Sequence, residues 1–139
     1  MVDKDIVLEK VGQIQNCLKR IHEKTNQTPQ SLDSLDVQDI FVLNLQRAVQ
    51  SAIDLAAHVV SDEGLGLPAD LKENFDLLER ANIIEDPLAT KMKKMVGFRN
   101  IAVREYSEID VDVLKKILMN HLKDIEEFYI SVLKHFQLV

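Results

Sequence analysis

Cysteine, glycine, proline and aromatic residues are scarce in this chain of 139 residues, and each scarcity excludes a class of structure. The single cysteine, Cys17, cannot close an internal disulfide or build a four-thiolate zinc site. Four glycines, three prolines and seven aromatic residues are too few for the turns and aromatic runs of an all-β sandwich or barrel. No uncharged apolar run approaches the roughly 20 residues of a membrane-spanning helix. The acidic start MVDKD also lacks the basic and apolar regions of a signal peptide. We therefore expect a cytoplasmic, all-helical protein without a membrane partner.

The overall balance is that of one globular domain over residues 1–139, with 46% hydrophobic and 29% charged residues. A net charge of −6 disfavours nonspecific adhesion to nucleic acid, but the average conceals a local reversal. Between Leu88 and Arg104 the chain carries five basic residues and no acidic one. This basic segment is where we look for function. Its charged residues are Lys91, Lys93, Lys94, Arg99 and Arg104.

Apolar residues recur at steps of three and four, which predicts a compact bundle of about five helices. The second helix has an apolar stripe broad enough to face two neighbours, so we expect it to be central. Turn formers predict a loop over residues 25–36. The predicted helices run from the start of the chain to about Asn26, from 36 to 62, from a cap at Asp70 to about Ala81, from Asp86 through Tyr106, and from Asp110 through Phe136.

Arg99 occupies a position in the apolar stripe of the fourth helix where a core leucine would be expected. An unpaired buried charge costs several kcal/mol, so the guanidinium needs a partner, a solvated cleft or an interface. One interpretation is a structural ion pair, for example with Asp54; the other is an anion site, because a guanidinium matches a phosphate in a bidentate fork. Tyr106, about two turns further along the same face, is either a core tyrosine or a second contact to a phosphate.

His58 follows Asp54 by one helical turn, so the carboxylate could orient the imidazole. Satisfied packing is the commoner outcome for such a pair, and a catalytic role is the alternative. The four histidines have no recognisable metal-ligand spacing, and no glycine-rich phosphate loop occurs. We therefore predict no metal site.

Four segments in this order resemble the HepT toxins of the HEPN superfamily: LQRAVQSAIDLAAHV, GLGLP, LLERANII and KMKKMVGFRNIAVREY. The resemblance spans roughly residues 40 to 129. It implies a compact helical bundle that dimerises through the region of its motif helix, so that two copies of that helix face a shared cleft. It also implies a metal-independent endoribonuclease that acts on RNA without a cofactor of its own.

The diagnostic motif of the resembled family is an arginine, four to six residues, a histidine, and a tyrosine two residues later. By resemblance Arg99 steadies the scissile phosphate and Asn100 supports it. From the local charge, Lys91, Lys93 and Lys94 are candidate RNA contacts, and the alternative is that they form a solvated face. The histidine position holds Arg104. Because arginine stays protonated at physiological pH, Arg104 can bind charge but cannot act as the general base.

The resemblance further implies a partner, a minimal nucleotidyltransferase antitoxin of the MntA type, which uses ATP and magnesium to adenylylate Tyr106. It also implies a homodimer, and a larger hetero-oligomer when the antitoxin is bound. Two functions remain open: a ribonuclease toxin, with its activity lowered or lost through Arg104, and a noncatalytic nucleotide- or RNA-binding partner of a nucleotidyltransferase. Arg99 and Arg104 lie about 140° apart on an ideal helix, so either a cleft built from two chains or a helix that ends near Val103 is needed to present both.

Overall fold

A computed structural model describes residues 2–139, and this part of the chain folds into six α-helices without a strand. Two short 3₁₀ turns, Pro29–Asp33 and Tyr106–Glu108, lie between helices. The all-helical prediction is confirmed. The helices are α1 (Lys4–Thr25), α2 (Leu35–Asp62), α3 (Glu73–Arg80), α4 (Asp86–Arg104), α5 (Val111–Asn120) and α6 (Leu122–His135).

Helix α1 begins and ends where its capping residues dictate. The Asp3 side chain accepts hydrogen bonds from the backbone amides of Asp5 and Ile6, which satisfies two donors that have no partner within the helix. Asn26 closes the other end in the left-handed conformation, with φ of 50°. The face predicted to be apolar is buried against the core. Its members are Val7, Val11, Ile14, Leu18 and Ile21.

Helix α2 is the central element, as its broad apolar stripe predicts. It packs against α1, α3, α4 and α6. The Ser34 hydroxyl caps its first turn by accepting from the amide of Val37. The predicted loop over residues 25–36 is partly regular, because it contains the 3₁₀ turn Pro29–Asp33. The side chain of Leu32 in this turn is completely buried. This loop therefore forms part of the core.

Helix α3 begins later than predicted. Asp70 accepts a hydrogen bond from the amide of Glu73 at 2.9 Å, but the helix itself starts at Glu73. Leu71 consequently lies outside the helix and is exposed, whereas Phe75 is fully buried. The Phe75 ring packs edge-on against Phe128 of α6, with 5.3 Å between ring centroids.

The prediction of one long last helix is wrong, because the chain breaks at His121 into α5 and α6. His121 has φ of −123° and ψ of −10°, outside helical values. Its ring nitrogen Nδ1 lies 3.0 Å from Oδ2 of the buried Asp124, which gives the polar groups at the break a local partner. Helix α5 then packs on the Pro29–Asp33 turn, and α6 packs on α1, α2 and α4. None of the helices formed by residues 2–139 combines the length and the apolar composition of a membrane-spanning segment.

Candidate functional site

The candidate site lies where the second half of α4 packs against α2. Helix α4 starts with Asp86 and Pro87, and proline is suited to a first helical turn because its missing N–H has no intrahelical role there. The helix remains regular through Arg104, since the amide of Glu105 still donates to the carbonyl of Ile101 at 2.7 Å. It therefore ends at Arg104, two residues before the predicted end at Tyr106.

Arg99 is half-buried and held by two neutral oxygens. Its Nη2 donates to Gln50 Oε1 on α2 at 2.6 Å, and its Nη1 donates to Asn100 Oδ1 at 3.0 Å. A guanidinium has five N–H donors, so these two contacts leave three for a ligand. Neither partner carries a negative charge, so the positive charge of Arg99 is oriented without being neutralised.

Gln50 is itself oriented by a second side chain. Its Nε2 donates to Asp54 Oδ1 at 2.9 Å, which directs Oε1 of the same amide towards Arg99. The other carboxylate oxygen of Asp54 lies 3.7 Å from Lys10 Nζ on α1. The predicted alternative of an Arg99–Asp54 ion pair is therefore wrong: Gln50 stands between the two, one helical turn from Asp54. Sequence reasoning missed Gln50.

Tyr106 does not continue the helical face of Arg99, contrary to the prediction. The helix has ended, and Tyr106 opens the short 3₁₀ turn that leads to α5. Its hydroxyl donates to Asp39 Oδ1 near the start of α2. Because Asp39 and Gln50 are eleven residues apart on one helix, the contacts of Tyr106 and Arg99 on α2 are about 16 Å apart along the axis. Sequence reasoning also missed Asp39.

Burial raises the pKa of Tyr106 to about 12, and the hydrogen bond to Asp39 and the carboxylate charge act in the same direction. The phenol is therefore neutral at physiological pH and donates its proton to Asp39. Its side chain nevertheless remains 41% exposed, so it can be reached from solvent. The interpretation of Tyr106 as a core tyrosine is wrong.

The other four basic residues of the segment from Leu88 to Arg104 have different surroundings. Arg104 is exposed at the last position of α4. Lys93 Nζ lies 2.7 Å from Asp76, and this contact raises the pKa of Lys93. Lys91 Nζ lies 3.8 Å from the buried Asp124. Lys94 is exposed, and across residues 2–139 no carboxylate forms an ion pair with it.

His58 does not join this site. Its Nε2 lies 3.2 Å from Asp62 Oδ2, one turn further along α2, so the predicted pairing with Asp54 is wrong. Asp54 is engaged by Gln50 and Lys10 instead. His58 also lies eight residues beyond Gln50, about 12 Å along the helix axis. Among the residues described, no group of three histidine, cysteine or acidic side chains is arranged to hold a metal ion.

The fold and the site define the class of protein. It is a helical bundle in which α4 carries the oriented Arg99, and the solvent-accessible Tyr106 lies just beyond that helix. Residues 14–132 match the family model for HepT-like ribonucleases. The chain is 39% identical to the mRNA nuclease HepT of Shewanella oneidensis over 130 residues, which are 94% of this chain and 97% of that protein. This chain belongs to the HepT-like family.

Solved structures of relatives have the same fold. A crystal structure of a toxin–antitoxin with AMP-PNP has a chain with 37% identity and a TM-score of 0.86, covering 92% of this chain and 97% of that one. The tri-AMPylated HEPN toxin of Shewanella oneidensis, in complex with an MNT antitoxin, has 38% identity and the same TM-score of 0.86. That match covers 92% of this chain and 96% of the toxin. The bundle and its helix order are therefore those of the family.

Proposed function

We propose that this chain is the toxin of a toxin–antitoxin pair, a cytoplasmic endoribonuclease that binds RNA through Arg99. The observation that carries the proposal is the geometry of Arg99, whose guanidinium is held by neutral oxygens of Gln50 and Asn100 with three donors left over. Such a group is suited to a bidentate contact with the scissile phosphate. Cleavage by attack of the ribose 2′ hydroxyl then needs no metal ion and no cofactor of this chain.

Arg104 favours a second candidate function, that of a noncatalytic RNA- or nucleotide-binding partner. It stands where the family motif has a histidine, and a permanently protonated side chain cannot accept the 2′ hydroxyl proton. It can still bind a phosphate. The two candidates share the RNA contact at Arg99 and differ in whether a proton acceptor at position 104 completes the site.

The Arg104→His substitution separates these two functions. If the chain is a ribonuclease with a substituted motif, the histidine restores general base catalysis, which contributes about 10²- to 10⁴-fold to rate. Cleavage of a labelled single-stranded RNA, with chelator present, is the measurement. Arg104→His combined with Arg99→Ala is the control for a contaminating nuclease. Unchanged RNA after incubation with the correctly folded Arg104→His protein would favour the binding partner.

Regulation is proposed to come from a nucleotidyltransferase antitoxin that uses ATP and magnesium to adenylylate Tyr106. The exposed phenol just after the motif helix supports this, and so does the relative whose toxin is tri-AMPylated in complex with its antitoxin. The first phosphate would attach beside Asp39, about 16 Å along α2 from the Arg99 contact. The modification would therefore add negative charge near Asp39 first, and a chain of adenylates would reach further along α2 than a single one.

We propose a homodimer in which two α4 helices border one cleft, with a larger assembly when the antitoxin binds. Because α4 is regular through Arg104, Arg99 and Arg104 of one chain point about 140° apart, and a second chain can supply the missing face. Exposed apolar side chains of Ile101 and Val103, 50% and 58% accessible, lie beside the motif. Light scattering at micromolar concentration should give twice the monomer mass; a monomer would count against a two-chain site.

A further inference from the structure

The hydroxyl of Tyr106 already has a proton acceptor in the folded chain. It donates to Asp39 Oδ1, and the two residues are 67 positions apart in sequence. Both lie at the surface, where the active site of another protein can reach them. Within residues 2–139, this contact brings a carboxylate directly to the oxygen atom on which the proposed modification takes place.

Asp39 is not needed to form the turn that carries Tyr106. The backbone holds that turn, because the amide of Glu108 donates to the carbonyl of Glu105 at 2.9 Å and the amide of Ile109 donates to that of Tyr106 at 3.1 Å. Asp110 then caps α5 by accepting from the amide of Asp112 at 2.8 Å. The carboxylate of Asp39 therefore fixes the phenol rather than the turn.

We propose that Asp39 is the general base for adenylylation of Tyr106, an inference that rests on the proposed function. The Tyr106 oxygen attacks the α-phosphorus of ATP held by the antitoxin, and a new oxygen–phosphorus bond forms. The bond from that phosphorus to the bridging oxygen breaks, and pyrophosphate leaves with the bonding electrons. The phenolic proton passes to the Asp39 carboxylate and from there to water, so atoms and charge balance.

A carboxylate suffices as acceptor although a phenol is a much weaker acid than a carboxylic acid. The phenol becomes strongly acidic only as its oxygen bonds to phosphorus, so the proton is transferred late and the acceptor must already be in place. Burial and Asp39 hold the pKa of Tyr106 at about 12, which makes free phenolate rare at neutral pH. The reaction therefore starts from the neutral phenol and depends on an acceptor for its proton.

The test is the steady-state adenylylation of the full chain by its cognate MntA-type nucleotidyltransferase, with ATP and magnesium, measured as the mass added to the Tyr106 peptide. Asp39→Asn keeps an oxygen acceptor of the same size and removes the basicity. We expect kcat to fall about 100-fold, at the lower end of general base effects. KM for ATP should stay level or fall, since the removed charge repels the triphosphate. Asp36→Asn, on the same exposed part of α2, is the matched control and should behave like the unaltered chain.

A pH profile distinguishes a base from a merely structural acceptor. The ratio of kcat for the unaltered chain to kcat for Asp39→Asn cancels the pH response of the antitoxin. This ratio should shrink as pH rises towards the phenol pKa, because phenolate then needs no base. A ratio independent of pH, or a loss confined to KM, would overturn the assignment of Asp39 as base, and so would an undiminished rate for Asp39→Asn.

The proposed function fails by a different result. If the unaltered chain is not modified at Tyr106, or if Tyr106→Phe is modified as well, adenylylation of this tyrosine is wrong irrespective of Asp39. Tyr129 is the other tyrosine of the chain and serves as the internal control for the site of modification. Modification at Tyr106 with an unimpaired Asp39→Asn protein overturns only the role of Asp39.

Discussion

Gln50→Ala should weaken RNA binding without removing the charge that binds RNA. The substitution deletes the oxygen that accepts from Arg99 Nη2 at 2.6 Å, and with it the link from Arg99 to Asp54. The guanidinium is then free to sample other rotamers and must be ordered again when a phosphate binds. Immobilising such a side chain costs about 0.5–1.5 kcal/mol, which corresponds to about a 2- to 12-fold rise in Kd.

The assay is fluorescence anisotropy of a short labelled single-stranded RNA at low salt. Gln46→Ala is the matched control, because Gln46 is half-buried one turn earlier on α2 and has no hydrogen bond to Arg99. A double-mutant cycle adds the specific readout: in an Arg99→Ala background, Gln50→Ala should have no further effect.

Gln50→Glu tests the same orienting role by adding a negative charge beside Arg99. A glutamate would keep an oxygen near Arg99 but would pair with the guanidinium and repel the RNA phosphate. We therefore expect Gln50→Glu to bind RNA more weakly than Gln50→Ala. Equal affinities for Gln46→Ala and Gln50→Ala, or tighter binding by Gln50→Glu, would refute the orienting role of Gln50.

Two further predictions test the site and the core. Arg99→Ala should weaken RNA binding more than Lys94→Ala in anisotropy titrations, since an oriented guanidinium makes a bidentate contact whereas an exposed ammonium adds attraction that salt screens; equal losses would make Arg99 one member of a diffuse basic patch. Phe128→Ala should lower the free energy of unfolding by about 3–5 kcal/mol in urea denaturation, because it removes the fully buried ring that packs on Phe75; a loss below about 1 kcal/mol would mean that the core closes over the gap.

The sequence is most informative about the fold where spacing and end signals coincide. Helix α1 buries the face that its apolar steps define, and α4 starts at the predicted aspartate and proline. The break at His121 could not be predicted in this way, because Leu118 and Leu122 on its two sides are both buried and keep a helical step of four. Periodicity describes the face of a helix and is insensitive to one residue that leaves helical geometry.

At the site, the sequence identifies Arg99 as unusual but does not identify the residue that contacts it. A charged residue in an apolar stripe marks Arg99 as unusual, but whether Asp54 or Gln50 meets it depends on a shift of one turn between two packed helices. That shift is set by core packing between α2 and α4, which no local pattern encodes. The contact from Tyr106 to Asp39 is harder still, since it joins residues 67 positions apart.

The end of α4 after Arg104 determines where Tyr106 lies relative to Arg99. If the helix continued for one more turn, Tyr106 would lie about two turns from Arg99 on the same face. Because the chain instead turns at Glu105, with φ of −136° and ψ of 51°, the phenol moves to Asp39 and the guanidinium stays at Gln50. The contacts of Tyr106 and Arg99 therefore lie about 16 Å apart along the axis of α2, so the proposed modification and the proposed phosphate contact involve different parts of that helix.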